Sequence, residues 1–233
     1  MVPATSDAYR AGAAPGVFPM FVRECWKPRS ESEIFELIEQ NPWGLLVSNG
    51  TATAGGAFSG PLATNLPLIL SRSERILTSH IARANAHCAA LLRDQSPVLA
   101  IFHGPSSYVT GSWYPQRDMP STVYYTAVHC YGRLEFQDAG NLRESLEELV
   151  HRYEDPIPDG WQTSDIAEKD VTRRLPSILG FVMKIERLEG KFKLGQDEPK
   201  RDALAVAERL LASDDSRVRA LGAMTRRYNE DRP

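Results

Sequence analysis

The stretch "TVYYTAVHCYGRLEF" (Thr122–Phe136) decides how the rest of the chain is read. It is rich in β-branched and aromatic residues and contains no proline, the composition of a strand rather than a helix. Side chains alternate across a strand, so Val128, Cys130, Leu134 and Phe136 fall on one face while Tyr125, His129, Tyr131 and Arg133 fall on the other. The first face belongs to a core. The second lines a pocket or a subunit interface.

Working outward, shorter apolar runs punctuated by Gly, Pro and Ser repeat the strand pattern: "WGLLVS" from Trp43, "LATNLPLIL" from Leu62, "RILTSHI" from Arg75, "PVLAIFHG" from Pro97 and "ILGFVMKIERLEG" from Ile178. "SRSE" (Ser71–Glu74) reads as a hairpin turn, and "ARANAHCAALLRD" reads as one short helix between strands. Six strands with few helices between them predict a mainly β fold with peripheral helices (α+β), closed as a barrel rather than built from βαβ units.

Helices are expected outside the barrel. In "SESEIFELIEQNP", Ser30 caps a helix and Glu33 reaches back, Ile34, Leu37 and Ile38 form its apolar stripe, and Asn41-Pro42 ends it. "NLRESLEELVHRYE" (Asn141–Glu154) has helical spacing at Leu142, Leu146, Leu149 and Val150, and two more helices are expected from about residue 200. Residues 1–20, rich in Ala, Pro and Gly, read as a flexible arm preceding one domain over 21–233.

Composition narrows the function classes. The 233 residues are 42% hydrophobic and 24% charged, with a net charge of -3 and a pI near 6.0. That balance argues against sequence-specific nucleic-acid binding, which usually needs a basic face. Cys25, Cys88 and Cys130 are too scattered for a disulfide framework or a zinc site. No apolar run has the ~20 residues of a membrane span and no secretory leader is evident, so a cytoplasmic protein is expected. The common phosphate-loop, zinc-protease and serine-hydrolase signatures are missing, and "GTATAGG" (Gly50–Gly56) reads as a hairpin loop.

The chemistry then falls to strand ends. In "HIARAN" (His80–Asn85), Arg83 is expected near the first turn of the following helix, where free N–H donors and a guanidinium would suit a phosphate or carboxylate. A surface Arg with Asn85 as a simple cap is the other reading. His129 is either a general acid–base, with Tyr124 or Tyr125 as a neutral donor, or a hydrogen-bonded interface residue.

"HIARAN", "FHGPSSYVTGSWY" (Phe102–Tyr114), "VHCYGRLEF" and "EGKFKLGQ" (Glu189–Gln196), taken in order, resemble the PaiB-type family of FMN-binding negative transcriptional regulators. That family is one of the flavin-binding split β-barrels, related in fold to pyridoxamine phosphate oxidases. The resemblance implies an FMN-binding split β-barrel and a homodimer with the flavin phosphate site between subunits. Its motifs fall on His80, Arg83 and Asn85, on Ser112 and Trp113, on Lys191 and on Gln196, with Arg83 the implied phosphate partner. In "ATNLPL", Thr64 and Leu66 match while Asn65 stands for a histidine. The family's "PTWNY" is replaced by Ser121, Thr122, Val123, Tyr124 and Tyr125, and its "SQN" by Gly195, Gln196 and Asp197.

These exchanges remodel the ring end and leave two outcomes, FMN retained or FMN lost. The expected function is an oxidoreductase of small-molecule metabolism using FMN. The alternatives are a flavin-linked transcriptional regulator and a cofactor-free enzyme using His129, Tyr124 and Tyr125 for acid–base chemistry. A haem-binding use of the barrel ranks last.

Overall fold

A computed structural model describes residues 20–50 and 60–232. The expected arm over residues 1–20, apart from Met20, and most of the expected Gly50–Gly56 loop lie outside the described residues. Seven strands form one sheet: β1 (Trp43–Ser48), β2 (Leu62–Pro67), β3 (Ile69–Ser71), β4 (Ile76–Ala82), β5 (Val98–Val109), β6 (Thr122–Phe136) and β7 (Ile178–Lys193). Their spatial order is β2-β1-β5-β6-β7-β4-β3. Every pairing is antiparallel.

That order closes the barrel. β2 and β3 occupy opposite edges of the sheet, yet only Leu68 separates them in the chain. The two edges must therefore meet, and the Ser79 hydroxyl of β4 donates to the Pro67 carbonyl of β2 at 2.7 Å across the join. The single strand expected over "LATNLPLIL" is thus two, parted at the fully buried Leu68. Closure removes the long unpaired edges that an open sheet would expose. The architecture is the expected mainly β split barrel with peripheral helices.

The inner face of β6 carries Tyr124, Thr126, Val128 and Cys130, all buried, and meets Leu46, Leu77, Phe102, Phe181 and Met183 in one core. Burying a side chain of this size contributes roughly 1.5–3 kcal/mol. Alternation along β6 holds as expected. In β7, by contrast, Glu186 is an extra residue opposite the Tyr131–Gly132 step, a bulge that keeps both halves of this long strand packed inward.

Helix α1 (Glu31–Gln40) is capped by Ser30, whose hydroxyl accepts from Glu33 N at 3.4 Å. Glu33 reaches back one residue further than a capping box requires, accepting from Arg29 N at 2.8 Å. Leu37 and Ile38 are buried with Phe35, while Ile34 is only half-buried. Gly104 admits the helix: a Cβ there would lie 2.6 Å from Leu37 Cδ1 and 2.2 Å from Thr126 Oγ1.

The remaining helices are α2 (Ala86–Arg93), α3 (Ala139–Glu154), α4 (Glu168–Arg174), α5 (Lys200–Leu211) and α6 (Ser216–Asn229). The last two pack as a hairpin on the barrel through Val206, Leu210, Leu221 and Tyr228. No helix among the described residues is long and apolar enough to cross a membrane.

Candidate functional site

Two groups of polar side chains stand on the barrel, one where β1, β2 and α2 meet and one on the outer face of β6 and β7. Asn85 is the N-cap of α2, its carboxamide oxygen accepting from His87 N at 2.9 Å, and its Nδ2 donates to Thr64 Oγ1 at 3.3 Å. The His87 ring lies between two hydroxyls, with Nδ1 2.8 Å from Thr64 Oγ1 and Nε2 2.9 Å from Ser48 Oγ. Burial pushes the His87 pKa down, so the ring is neutral at neutral pH, with one nitrogen donating and the other accepting. His87 is absent from the residues the sequence nominates. Its signal was its place on the buried face of α2, one turn before Leu91.

Arg83 belongs to the same end but precedes the helix. It sits in the turn after β4, two residues before the N-cap and so near the first turn of α2. Its amide donates to Ser177 O at 2.9 Å and its Nε to Ile178 O at 3.2 Å. The terminal amino groups of the guanidinium take no partner among the described residues, leaving its bidentate edge available to an anion. His80 is half-buried on the outer face of β4 beside Gly180, and burial lowers its pKa. Asn65 is exposed on the outer face of β2, whereas Leu66 points into the core.

The second group lies on the outer face of β6 and β7. Cross-strand register sets Tyr125 opposite Lys193, Ala127 opposite Lys191, His129 opposite Glu189 and Tyr131 opposite Arg187. Lys191 is only 9% exposed. Its ammonium lies 4.9 Å from the ring centroid of Trp26, 5.3 Å from that of Tyr125 and 5.4 Å from that of Phe21. Such a cation–π environment stabilises the charge where water is scarce. Lys193 Nζ donates to Thr122 Oγ1 at 2.5 Å.

His129 is half-buried on this face, 6.2 Å from Tyr131 between ring centroids, and its Nδ1 is buried without a hydrogen-bond partner among the described residues. Burial holds its pKa below the usual histidine value, against the opposing pull of Glu189.

Tyr124 does not join that surface. It faces the core, opposite to Tyr125 and His129, and its hydroxyl donates to Glu198 Oε2. Tyr114 donates to the other carboxylate oxygen at 3.1 Å. Burial drives the Tyr124 phenol far above its ordinary range and raises the Glu198 carboxyl as well. The expected acid–base set of His129, Tyr124 and Tyr125 is therefore split by the sheet, leaving Tyr125 on the side of His129.

Gln196 is likewise committed inward. Its Nε2 donates to Phe192 O at 2.6 Å and its Oε1 accepts from Leu194 N at 2.7 Å, bracing the turn in which Gly195 adopts a φ of 80°. Ser112 and Trp113 follow β5 and border a shallow cleft against Ala205 and Arg209 of α5. From Ala100, which neighbours Leu46 of β1, the chain runs twelve residues to Ser112, on the order of 35 Å of extended backbone. One protomer thus keeps Thr64 and Asn85 apart from Ser112 and Trp113, and Arg83, beside Ile178, is thirteen residues along β7 from Lys191.

Residues 20–187 match the family model described as "Putative FMN-binding domain". Protease synthase and sporulation protein PAI 2 of Bacillus subtilis is 28% identical over 193 residues, covering 82% of this chain and 89% of the relative. Among solved structures, the FAD and heme binding protein of Mycobacterium smegmatis superposes with a TM-score of 0.52 at 14% identity, covering 72% of this chain and 74% of the other. A conserved hypothetical protein of Mycobacterium tuberculosis gives a TM-score of 0.53 at 14% identity, over 77% of this chain and 94% of the other. At that identity the two structures speak to the fold alone.

Proposed function

The chain belongs to this FMN-binding domain family, and from that premise we propose that it binds FMN between two copies of itself and acts as an oxidoreductase on a small molecule. The observation that carries the reading is the separation of Arg83, held beside Ile178 at the start of β7, from Lys191 near the end of that strand. A two-fold axis across the outer face would bring the Arg83 end of β7 in one protomer to the Lys191 end in the other.

The surface that such an axis would cover suits the purpose. Leu45 and Val47 of β1, Leu99 and Ile101 of β5, and His129 and Tyr131 of β6 share the outer face and are each half-buried, while Trp43 at its edge is 66% exposed. An apolar, aromatic patch of this kind is characteristic of subunit interfaces.

The residues present fit an anionic flavin. Arg83 would hold the phosphate through its unengaged terminal amino groups, and Asn85, Thr64 and His87 form the hydrogen-bonded shelf that fixes the turn bearing it. Lys191, Trp113 and Tyr125 would border the ring, with His129 beside them on the outer face of β6. FMN, when bound, supplies the electron transfer itself. The experiment is the visible spectrum of the purified protein before and after adding FMN, together with its bleaching by a reductant. A saturable flavin spectrum at one FMN per protomer supports the reading, and a protein that ignores FMN contradicts it.

A further inference from the structure

Beneath α3 lies a cavity of about 570 Å³ that none of the side chains of the two groups described above lines. Its walls are Leu146, Leu149 and Val150 of α3, Trp161 and Ile166 of the connection that follows, and Val171 of α4, with Ser177 and Ile178 as its floor. This volume falls within the range of small-molecule sites, roughly 300–1,000 Å³. The apolar stripe of α3 explains why the cavity exists. Of its residues only Leu142 is buried, while Leu146, Leu149 and Val150 stay half-buried because the chain itself does not fill the space in front of them.

The connection over the cavity is built rather than loose. Trp161 N donates to Glu154 Oε2 at 3.0 Å, Gln162 N donates to Asp165 Oδ2 at 2.8 Å, and Gly160 N donates to Ile157 O at 2.9 Å. The Trp161 indole forms one wall and keeps 41% of its surface exposed.

Two arginines line the cavity, and they differ. Arg143 is neutralised by Glu168, through both terminal amino groups, and by Glu147 at 3.2 Å. Arg174 has no ion-pair partner among the described residues, and its guanidinium donates to the Asp170 carbonyl at 3.3 Å. An apolar chamber with one uncompensated cation is complementary to an apolar molecule with one negative charge.

We propose that this cavity is a second ligand site, taking a small aromatic or aliphatic molecule that carries a single carboxylate or sulfonate, with its apolar body among the α3 leucines and Trp161 and its charge at Arg174. The cavity adjoins the first group, since the main-chain carbonyls of Ser177 and Ile178 hold Arg83, but Arg83 does not line it and its charge is set by Arg174.

The test uses two fluorescent probes of similar shape, anionic 8-anilinonaphthalene-1-sulfonate and neutral N-phenyl-1-naphthylamine. On the full chain, both should bind saturably with one site per protomer and quench Trp161, an effect lost in Trp161→Phe. Arg174→Ala should weaken the anionic probe by about ten-fold and leave the neutral probe unchanged. Val171→Trp should fill the cavity and abolish both. If that variant does not fold by circular dichroism, Leu149→Trp fills the same space from α3. Binding that persists through a folded filling variant overturns the proposal. So does equal loss of both probes in Arg174→Ala, or probe release in step with self-association, which would make a second copy the occupant.

Discussion

Arg83 Nε donates to the Ile178 carbonyl at 3.2 Å, tying the turn after β4 to the first residue of β7. The guanidinium is thereby held by main chain rather than by a carboxylate. Its charge is left uncompensated, and its position depends on two strands that pair through Ala82 and Ile178. An arginine fixed in this way is suited to receive an anion, and its removal leaves the strands paired.

Assembly follows from the outer face. The account expects a homodimer burying well over ~1,200 Å² in total, as stable interfaces do. Ile101→Asp would place a charge at the centre of the apolar patch without touching the inner core. Sedimentation velocity should show a dimer for the native chain and a monomer for the variant at micromolar concentration. A native monomer would rule out a flavin site shared between subunits.

His87 sets an acid limit. Burial places its folded pKa below the ordinary 6.5, so between those values the unfolded chain binds more protons and stability rises with pH. The contribution is present above 6.5 and is lost as the pH falls through the folded value. His87→Leu should cost about 1–3 kcal/mol at neutral pH, since Ser48 loses its partner, and should flatten part of the acid decline in thermal denaturation. His80 and His129 shift in the same direction, so some decline should remain.

Glu198 acts with the opposite sign. Its carboxyl is raised above 4.5 by burial, despite two tyrosine hydroxyls that favour the charged form. The folded state therefore holds the proton more tightly, and stability falls as the pH rises from 4.5 through the folded value. Glu198→Gln, which still accepts from one tyrosine, should remove that decline. Melting temperatures across this window should diverge, with the variant gaining on the native chain toward neutral pH.

Much of the fold was legible because local chemistry agreed with it. The capped α1, the hairpin at Ser71–Glu74, the long alternating β6 and the two final helices all follow from spacing and turn residues. The split at Leu68 was not legible, because it depends on two sheet edges meeting and nothing in "LATNLPLIL" records that. Helix α4 escaped notice because seven residues give too little periodicity. At the site, "HIARAN" runs from the end of β4 to the N-cap of α2, which puts Arg83 near the first turn of that helix. Tyr124 was named beside Tyr125 as a donor and Gln196 came from the motif, whereas strand alternation and the Glu198 carboxylate turn the first inward and the main chain claims the second.

The most direct test compares FMN with riboflavin on the native chain and on Arg83→Ala. If Arg83 holds the phosphate, the variant should bind FMN about ten- to a hundred-fold more weakly, the equivalent of roughly 1.5–3 kcal/mol for a charge-assisted contact. Riboflavin, which lacks the phosphate, should bind both proteins equally. Equal FMN affinity in the two proteins would contradict the account and leave Arg83 a surface residue.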